Sequence, residues 1–189
     1  DHPSFLMRGS HNRVPILQFA VQRALEIAAN GLQHDNPAYL LDPTPEGFRV
    51  WCEDYRNEWL KNPDTTYLSY DIETPYKSGK DEEEVAREDN DDYTILRVSF
   101  AYRAGEAVSV HWRAEYLPSL EYLFSIPGTL LGWNLAYDSP RVRAQIPIMA
   151  SEIDAMLAWH VLNSSLPKGL GFVTPFYNHS AQMLKHLSE

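Results

Sequence analysis

The sequence predicts an α/β fold, a mixed sheet flanked by helices with a helical segment in front of it. Three observations carry this prediction. Apolar residues recur at helical spacing near the N-terminus and again in the last third of the chain. Between these regions, short aromatic and β-branched runs alternate with helical segments, which is typical of a sheet covered by helices. Hydrophobic residues make up 44% of the 189, which is enough for a packed core.

The N-terminal third is predicted to be helical. The apolar spacing indicates a helix from Val14 to Asn30, and Gly31 stands where a C-cap glycine belongs. Residues 32–45 hold three prolines among polar residues and indicate a linker. A second helix is expected from about Glu46 to Lys61, because the Asn-Pro pair that follows disfavours further helix.

The middle and end of the chain predict the sheet and the helices that cover it. Strands are expected at 66–72, 94–102, 107–112 and 129–133, with a short helix near 117–124. Later helices are expected at 140–145, 154–163 and 170–177. Residues 81–92 carry eight carboxylates against one arginine, and we expect them to form a solvated loop.

Composition excludes several classes of function. The net charge of -10 argues against a basic nucleic-acid patch as the organising feature. A single cysteine, Cys52, excludes an internal disulfide framework and a multi-cysteine zinc site, and it fits a reducing cytoplasm. No run approaches the ~18 apolar residues of a membrane span, and the chain opens on Asp1 without the features of a signal peptide. We therefore expect no membrane partner.

The strongest local motif is Asp71-Ile72-Glu73-Thr74 at the end of a predicted strand. Strand alternation places Asp71 and Glu73 on the same face. Neighbouring carboxylates repel each other unless a cation lies between them, and hard divalent ions such as Mg²⁺ or Mn²⁺ take oxygen ligands of this kind. The alternative is an exposed strand with two solvated acids.

A second motif is the stretch 132–138, Gly-Trp-Asn-Leu-Ala-Tyr-Asp, where a buried strand gives way to a helix. Taken alone, Asp138 is interpreted as a helix N-cap, with Ser139 and Pro140 suited to the first turn. Metal ligation would use the same carboxylate oxygens, so one residue rarely serves both roles fully.

The ordered combination resembles the proofreading 3′→5′ exonuclease domain of family A DNA polymerases of the phage type. This domain belongs to the four-acid (DEDD) exonuclease superfamily and has a ribonuclease H-like fold. Asp71 and Glu73 match its first motif, and Asn134 with Asp138 matches its second. The stretches 154–163 and 166–173 are also similar to polymerases of this family, so the resemblance covers residues 66–189.

The resemblance implies an enzyme that releases nucleoside 5′-monophosphates from the 3′ ends of single-stranded DNA. Its two-metal site would hold Mg²⁺ or Mn²⁺ through Asp71, Glu73 and Asp138. The resemblance also implies a polymerase domain that follows in a longer parent chain, in the cytoplasm of a bacterial or phage-infected cell. Basic side chains such as Arg141, Arg143 and Lys168 would meet only the terminal nucleotides, or they are solvated helix surface.

Other positions carry less specific expectations. Thr74, Asn134 and Tyr137 match positions that line the terminal nucleotide in the family, although Tyr137 fits ordinary core packing equally well. Asp154 matches a carboxylate common in the family, and we interpret it first as a helix N-cap.

One departure concerns the third motif of the family, Tyr-x-x-x-Asp or His-x-x-x-x-Asp, which supplies the fourth carboxylate. After Asp154 the sequence contains no Asp, and its one acid is Glu189. We expect either a piece of a longer polymerase that stops before this motif, or an activity supplied differently. The alternatives are a catalytically weak or inactive exonuclease-fold scaffold module and a 3′→5′ exoribonuclease of the same fold.

The first 31 residues carry another resemblance. The run His-Pro-Ser-Phe-Leu-Met-Arg-Gly at 2–9, followed by a helix, resembles the C-terminal motif of iron–sulfur uracil-DNA glycosylases. A chance His-Pro turn before a helix is the alternative. One cysteine cannot hold a cluster that needs four thiolates, so glycosylase activity is not predicted. The expected organisation is a glycosylase-like fragment at 1–31, a linker and helix at 32–65, and an exonuclease domain at 66–189.

Overall fold

The computed structural model describes residues 14–31, 38–75 and 93–177. Its strands are β1 (Ala38–Leu41), β2 (Tyr67–Glu73), β3 (Arg97–Arg103), β4 (Glu106–His111), β5 (Thr129–Gly132) and β6 (Ser151–Asp154). Its helices are α1 (Val14–Asn30), α2 (Pro45–Lys61), α3 (Leu117–Ser125), α4 (Leu135–Arg143), α5 (Ala155–Leu162) and α6 (Leu170–Tyr177). The glycosylase-like run at 2–9, the acidic segment at 81–92 that is predicted to be a loop, and Glu189 lie outside the described residues.

The chain divides into two compact units. One unit is continuous and comprises Pro37–Ala155, and the other combines Asp1–Asn36 with Met156–Glu189. In this division β1 and α2 belong to the same unit as the rest of the sheet. None of the described helices is long and apolar enough to cross a membrane.

The sheet has six strands in the order β1-β4-β3-β2-β5-β6. The central strands β2, β3 and β4 form an antiparallel meander, and β5 and β6 continue the sheet parallel to β2. Strand β1 lies at the far edge, parallel to β4. This arrangement confirms the predicted α/β fold with a mixed sheet.

Alternation along β2 separates the core from the candidate site. Leu68, Tyr70 and Ile72 are buried, whereas Asp71 and Glu73 are exposed on the opposite face, as the sequence pattern predicts. The buried face packs against α2 and α3, whose buried core residues are Phe48, Cys52, Tyr55, Leu120, Leu123 and Phe124.

The amphipathic helix α2 is fixed at both ends. The Thr44 hydroxyl accepts a hydrogen bond from the Gly47 backbone N–H at 3.1 Å, and Pro45 occupies the first turn. The helix ends at Asn62, whose backbone N–H bonds to the Glu58 carbonyl. The helix predicted from about Glu46 to Lys61 is therefore confirmed.

The second unit contributes helices α1, α5 and α6. The limits predicted for α1 are confirmed, and Gly31 adopts the left-handed φ of 71° that ends a helix. Aromatic side chains on these helices pack together: the rings of Phe19 and Phe176 lie 4.5 Å apart, and those of Trp159 and Phe176 lie 5.7 Å apart. Trp159 also donates from its indole N–H to the Pro167 carbonyl at 3.0 Å.

Two strands were not predicted. The segment Ala38–Leu41 falls within the predicted linker, yet it pairs with β4. Its four side chains are all exposed, so the apolar alternation that marks a half-buried strand is missing. The sequence pattern places Asp154 in the following helix, but Ser151–Asp154 forms β6 beside β5. Both strands lie at edges of the sheet and depend on backbone pairing with a distant partner.

Helix α4 begins at Leu135, five residues before the predicted start at Pro140. Asn134 adopts a left-handed conformation with φ 67° and ψ 48°, which turns the chain from β5 directly into the helix. Pro140 lies within the helix. Asp138 is therefore in the first turn of α4 and does not cap it, which corrects the N-cap interpretation.

A close approach at the end of β5 makes Gly132 sensitive to substitution. A Cβ added there would lie 2.7 Å from the Leu135 Cγ, in the buried first turn of α4. We expect Gly132→Ala to destabilise the fold by about 1–3 kcal/mol, because the packed core must shift. Urea unfolding measures the effect. Gly171→Ala adds the same methyl group where nothing lies within 4 Å, and it should not destabilise.

Candidate active site

The carboxylates of β2 face solvent at the end of the strand. Asp71 and Glu73 stand on the same face, as strand alternation requires. Although Asp71 is exposed at the surface, neighbouring groups screen its carboxylate partly from water and raise its pKa, and the negative charge of Glu73 raises it further. The two acids therefore repel each other in the absence of a cation.

Asp138 brings a third carboxylate to the same end of β2. Its side chain is buried at 4% exposure in the first turn of α4. Burial raises the pKa of Asp138 to about 7, with a further contribution from the charge of Asp71. A hydrogen bond with the Ile72 backbone and the nearby Arg141 oppose this rise. Asp71 is thus the acid that interacts with both of the others.

The chemistry of these donors fits a hard divalent cation. A cation beside Asp71 and Asp138 would offset the burial, and the negative charge of a neighbouring acid, that raise the pKa of each. No group of three or more His, Cys, Asp or Glu side chains within the described ranges is already placed to hold a metal ion. Mg²⁺ is commonly bound by one or two carboxylates, with waters and substrate phosphate oxygens completing its shell. The pair Asp71 and Asp138 meets that requirement.

Asp154 stabilises the start of α4. One carboxylate oxygen accepts from the Asn134 backbone N–H at 3.1 Å, and the other accepts from the Leu135 N–H at 3.0 Å. The interpretation as a helix cap holds, but the capped helix is α4 and not the one that follows Asp154 in sequence. The end of β6 thereby fixes the turn that carries Asn134 and leads to Asp138.

Removing this cap should loosen α4. We expect Asp154→Ala to lower the free energy of unfolding by about 1–2 kcal/mol, since two helix N-terminal N–H groups lose their acceptor. Asp154→Asn keeps one acceptor oxygen and should cost less. Thermal or urea unfolding of both variants measures the difference, and equal stability of Asp154→Ala and the unsubstituted chain would contradict the capping role.

The residues expected to line the terminal nucleotide occupy the same end of the sheet. The hydroxyls of Thr74 and Tyr137 are hydrogen-bonded at 2.8 Å. The Arg141 guanidinium lies 3.6 Å from the centre of the Tyr137 ring and donates to the Tyr137 carbonyl at 2.8 Å. Arg141 is buried at 6% exposure, which corrects both expectations from the sequence. It is neither solvated helix surface nor open to nucleotides. Asn134 is exposed, and its backbone N–H bonds to Asp154.

A polar network missed by the sequence analysis is centred on Glu152 of β6. Its carboxylate accepts from the Tyr70 hydroxyl at 2.9 Å, the Ser139 hydroxyl at 2.9 Å and the Arg143 guanidinium at 2.6 Å. Tyr70 precedes Asp71 on β2, and Ser139 follows Asp138 on α4. Glu152 therefore fixes the spacing between the two elements that carry these acids.

The sequence matches no protein-family model and no curated protein, whereas the fold matches solved structures. RNase D from Trypanosoma brucei is similar at a TM-score of 0.54 and 13% identity, over 78% of this chain and 50% of that one. The EXO domain of Aedes aegypti Nibbler is similar at a TM-score of 0.52 and 12% identity, over 78% and 72%.

A bacterial structure adds to this comparison. Escherichia coli RNase D, an exoribonuclease involved in structured RNA processing, is similar at a TM-score of 0.50 and 10% identity, over 80% of this chain and 36% of that one. This chain thus spans half of the Trypanosoma brucei protein and about a third of the Escherichia coli one. Its ribonuclease H-like α/β fold is similar to the fold of these nuclease structures.

Proposed function

We propose that this chain is a metal-dependent 3′→5′ exonuclease domain of the proofreading type. It would release nucleoside 5′-monophosphates from the 3′ ends of single-stranded DNA. The observation that carries the proposal is the buried Asp138 carboxylate, which lies against the end of β2 beside Asp71 in a fold similar to that of an exoribonuclease. Burial and neighbouring negative charge disfavour the ionised form of both acids in the metal-free protein. A divalent cation bound beside them would offset this cost.

The proposed site assigns distinct tasks to its residues. Asp71, Glu73 and Asp138 would hold Mg²⁺ or Mn²⁺, which when bound activates water and stabilises charge on the scissile phosphate. Thr74 and Tyr137 would orient the terminal nucleotide through their hydroxyls. The Tyr137 ring is already fixed by the guanidinium 3.6 Å away, so little side-chain freedom would be lost on binding.

The acidic character of the chain suits a site that engages only the end of a strand. A net charge of -10 disfavours broad contact with phosphates, so the rest of the nucleic acid would be gripped elsewhere. A polymerase domain in a longer parent chain is the partner we propose for that role. The proposed cellular setting is the cytoplasm of a bacterial or phage-infected cell.

Two alternatives rest on specific observations. Two of the similar structures are RNase D proteins, and a 3′→5′ exoribonuclease of the same fold is the second candidate function. The described residues lack a ready cluster of three metal-binding side chains, which favours a weak or inactive scaffold module as the other candidate.

Degradation of a 5′-labelled single strand in Mn²⁺ tests the proposal, with DNA and RNA of matched sequence. A ladder shortening from the 3′ end of DNA, lost in Asp71→Ala and retained in Asp64→Ala, supports it. Asp64 is an exposed acid in the turn before β2 and serves as the matched control. Degradation of RNA alone would establish the ribonuclease alternative. Absence of any ladder from folded protein would favour the scaffold.

A further inference from the structure

A row of polar residues crosses the exposed face of the sheet beside the candidate site. Glu73 on β2 is directly opposite Arg97 on β3, and Arg97 is directly opposite His111 on β4. Asp42 follows the end of β1, the next strand in the sheet. Arg97 therefore has an acidic neighbour on each side, Glu73 towards the candidate site and Asp42 away from it.

Opposite charges on directly opposed residues of an antiparallel pair commonly interact. Among the described residues, however, Arg97 is paired with Asp42 and not with Glu73. The two terminal nitrogens of its guanidinium donate to the two carboxylate oxygens of Asp42, at 2.8 Å and 3.2 Å. One of them also donates to His111 Nε2 at 3.0 Å, and Nε donates to the Ser109 hydroxyl at 3.3 Å.

Asp42 is itself held in position for this contact. Its φ of 47° lies in the left-handed region that an aspartate adopts at a local cost. Its backbone N–H donates to the Ser109 carbonyl at 3.0 Å, on the strand that also carries His111. The backbone and the side chain of Asp42 thus both bind residues of the sheet, although Asp42 lies just past an edge strand of only four residues.

We infer that Asp42 is a positioning residue that holds Arg97 away from Glu73 and so keeps the Glu73 carboxylate available to a divalent cation. The inference rests on the proposed function, in which Glu73 is a metal ligand. Without Asp42, the acidic residue that remains beside Arg97 is its directly opposed strand partner, Glu73. A guanidinium beside Glu73 would neutralise it and would repel the cation.

Direct Mn²⁺ binding to the full chain, followed by the electron paramagnetic resonance signal of free Mn²⁺, tests the inference without relying on activity. We expect Asp42→Ala to weaken Mn²⁺ binding roughly tenfold, the size expected for one cation placed beside a partly solvated carboxylate. Asp42→Ala combined with Arg97→Ala should restore the affinity, because the competing guanidinium is gone. Arg97→Ala alone should bind at least as tightly as the unsubstituted chain.

A matched control separates this effect from a general loss of negative charge. Glu106 pairs with Arg103 at 3.8 Å on the same two strands as Arg97 and His111, at the other end of the sheet. Glu106→Ala should leave Mn²⁺ binding unchanged.

Unchanged Mn²⁺ affinity in Asp42→Ala would overturn the inference while the proposed metal site stands. Equally weak Mn²⁺ binding in Asp42→Ala and in the double variant would also overturn it, because the role of Asp42 would then be merely structural. Lack of Mn²⁺ binding to the unsubstituted chain would instead overturn the proposed metal site and this inference with it.

Discussion

Asp138→Asn is expected to stabilise the metal-free protein while reducing Mn²⁺-dependent nucleotide release by about 100-fold or more. Asparagine has the shape of aspartate and retains an oxygen for the Ile72 backbone contact, but it carries no charge. At pH 8 the gain in the free energy of unfolding should be about 2–4 kcal/mol, since each unit of pKa shift corresponds to about 1.4 kcal/mol. A ligand of the proposed metal would thus be a residue that weakens the fold.

The pH dependence provides a sharper measurement of the same effect. Burial and the charge of Asp71 raise the pKa of Asp138 from 3.8 to about 7, so the folded state retains a proton that the unfolded state releases. The contribution of Asp138 to stability therefore falls as the pH rises from about 4 to about 7, and it is constant above that window.

Urea unfolding with a chelator present, at pH 5 and pH 8, tests this expectation. The unsubstituted chain should lose more stability between these pH values than Asp138→Asn does. Asp64→Asn, which neutralises an exposed acid, should behave like the unsubstituted chain. The same loss of stability in Asp138→Asn and the unsubstituted chain would contradict a costly buried charge at this position.

Glu152→Ala is expected to be the most destabilising change outside the hydrophobic core, by about 2–4 kcal/mol. It removes the shared acceptor of Tyr70, Ser139 and Arg143. Tyr70 is only 2% exposed, so its hydroxyl would be left buried without its acceptor. Because Glu152 connects β2 to α4, metal-dependent activity should fall as well.

Glu152→Gln retains an acceptor oxygen and should be less damaging than alanine. Glu121→Ala, which removes an exposed carboxylate on α3, should change stability by less than about 0.5 kcal/mol.

Although burial opposes ionisation, hydrogen bonds from Arg143, Ser139 and Tyr70 hold the pKa of Glu152 below its usual value of 4.5. The ionised Glu152 therefore stabilises the fold at neutral pH, and this stabilisation is lost in acid. The contribution of Asp138 changes in the opposite direction, because it falls as the pH rises. Acid titration of the unfolding free energy distinguishes the two.

Elements with strong local signals could be predicted from the sequence. Alternation placed Asp71 and Glu73 on one face of a strand, and helical spacing predicted α1 and α2 with nearly correct ends. Strands β1 and β6 were missed because each has four residues and lies at an edge, where hydrogen bonding to a distant strand outweighs local preference.

The residues that support the site were harder to predict because their partners are remote in sequence. The Tyr70–Glu152 bond joins residues 82 positions apart, and the Arg97–Asp42 pair spans 55. Nothing in the local composition distinguishes Glu152 from a solvated acid. The one available signal is the position of Glu152 in a short segment of mixed apolar and polar residues after a buried strand. This signal does not identify the side chains that bind its carboxylate.

The buried thiol of the core has a practical consequence for spectroscopic work. Cys52 is the single cysteine of the chain, it is 0% exposed, and burial raises its thiol pKa far above neutral pH. Thiol reagents act on the thiolate and should leave it unmodified in the folded protein. One new surface cysteine, such as Thr65→Cys beside β2, would therefore take a fluorophore or spin label selectively in the native protein. Distances from that label to bound Mn²⁺ would locate the ion with the wild-type core intact.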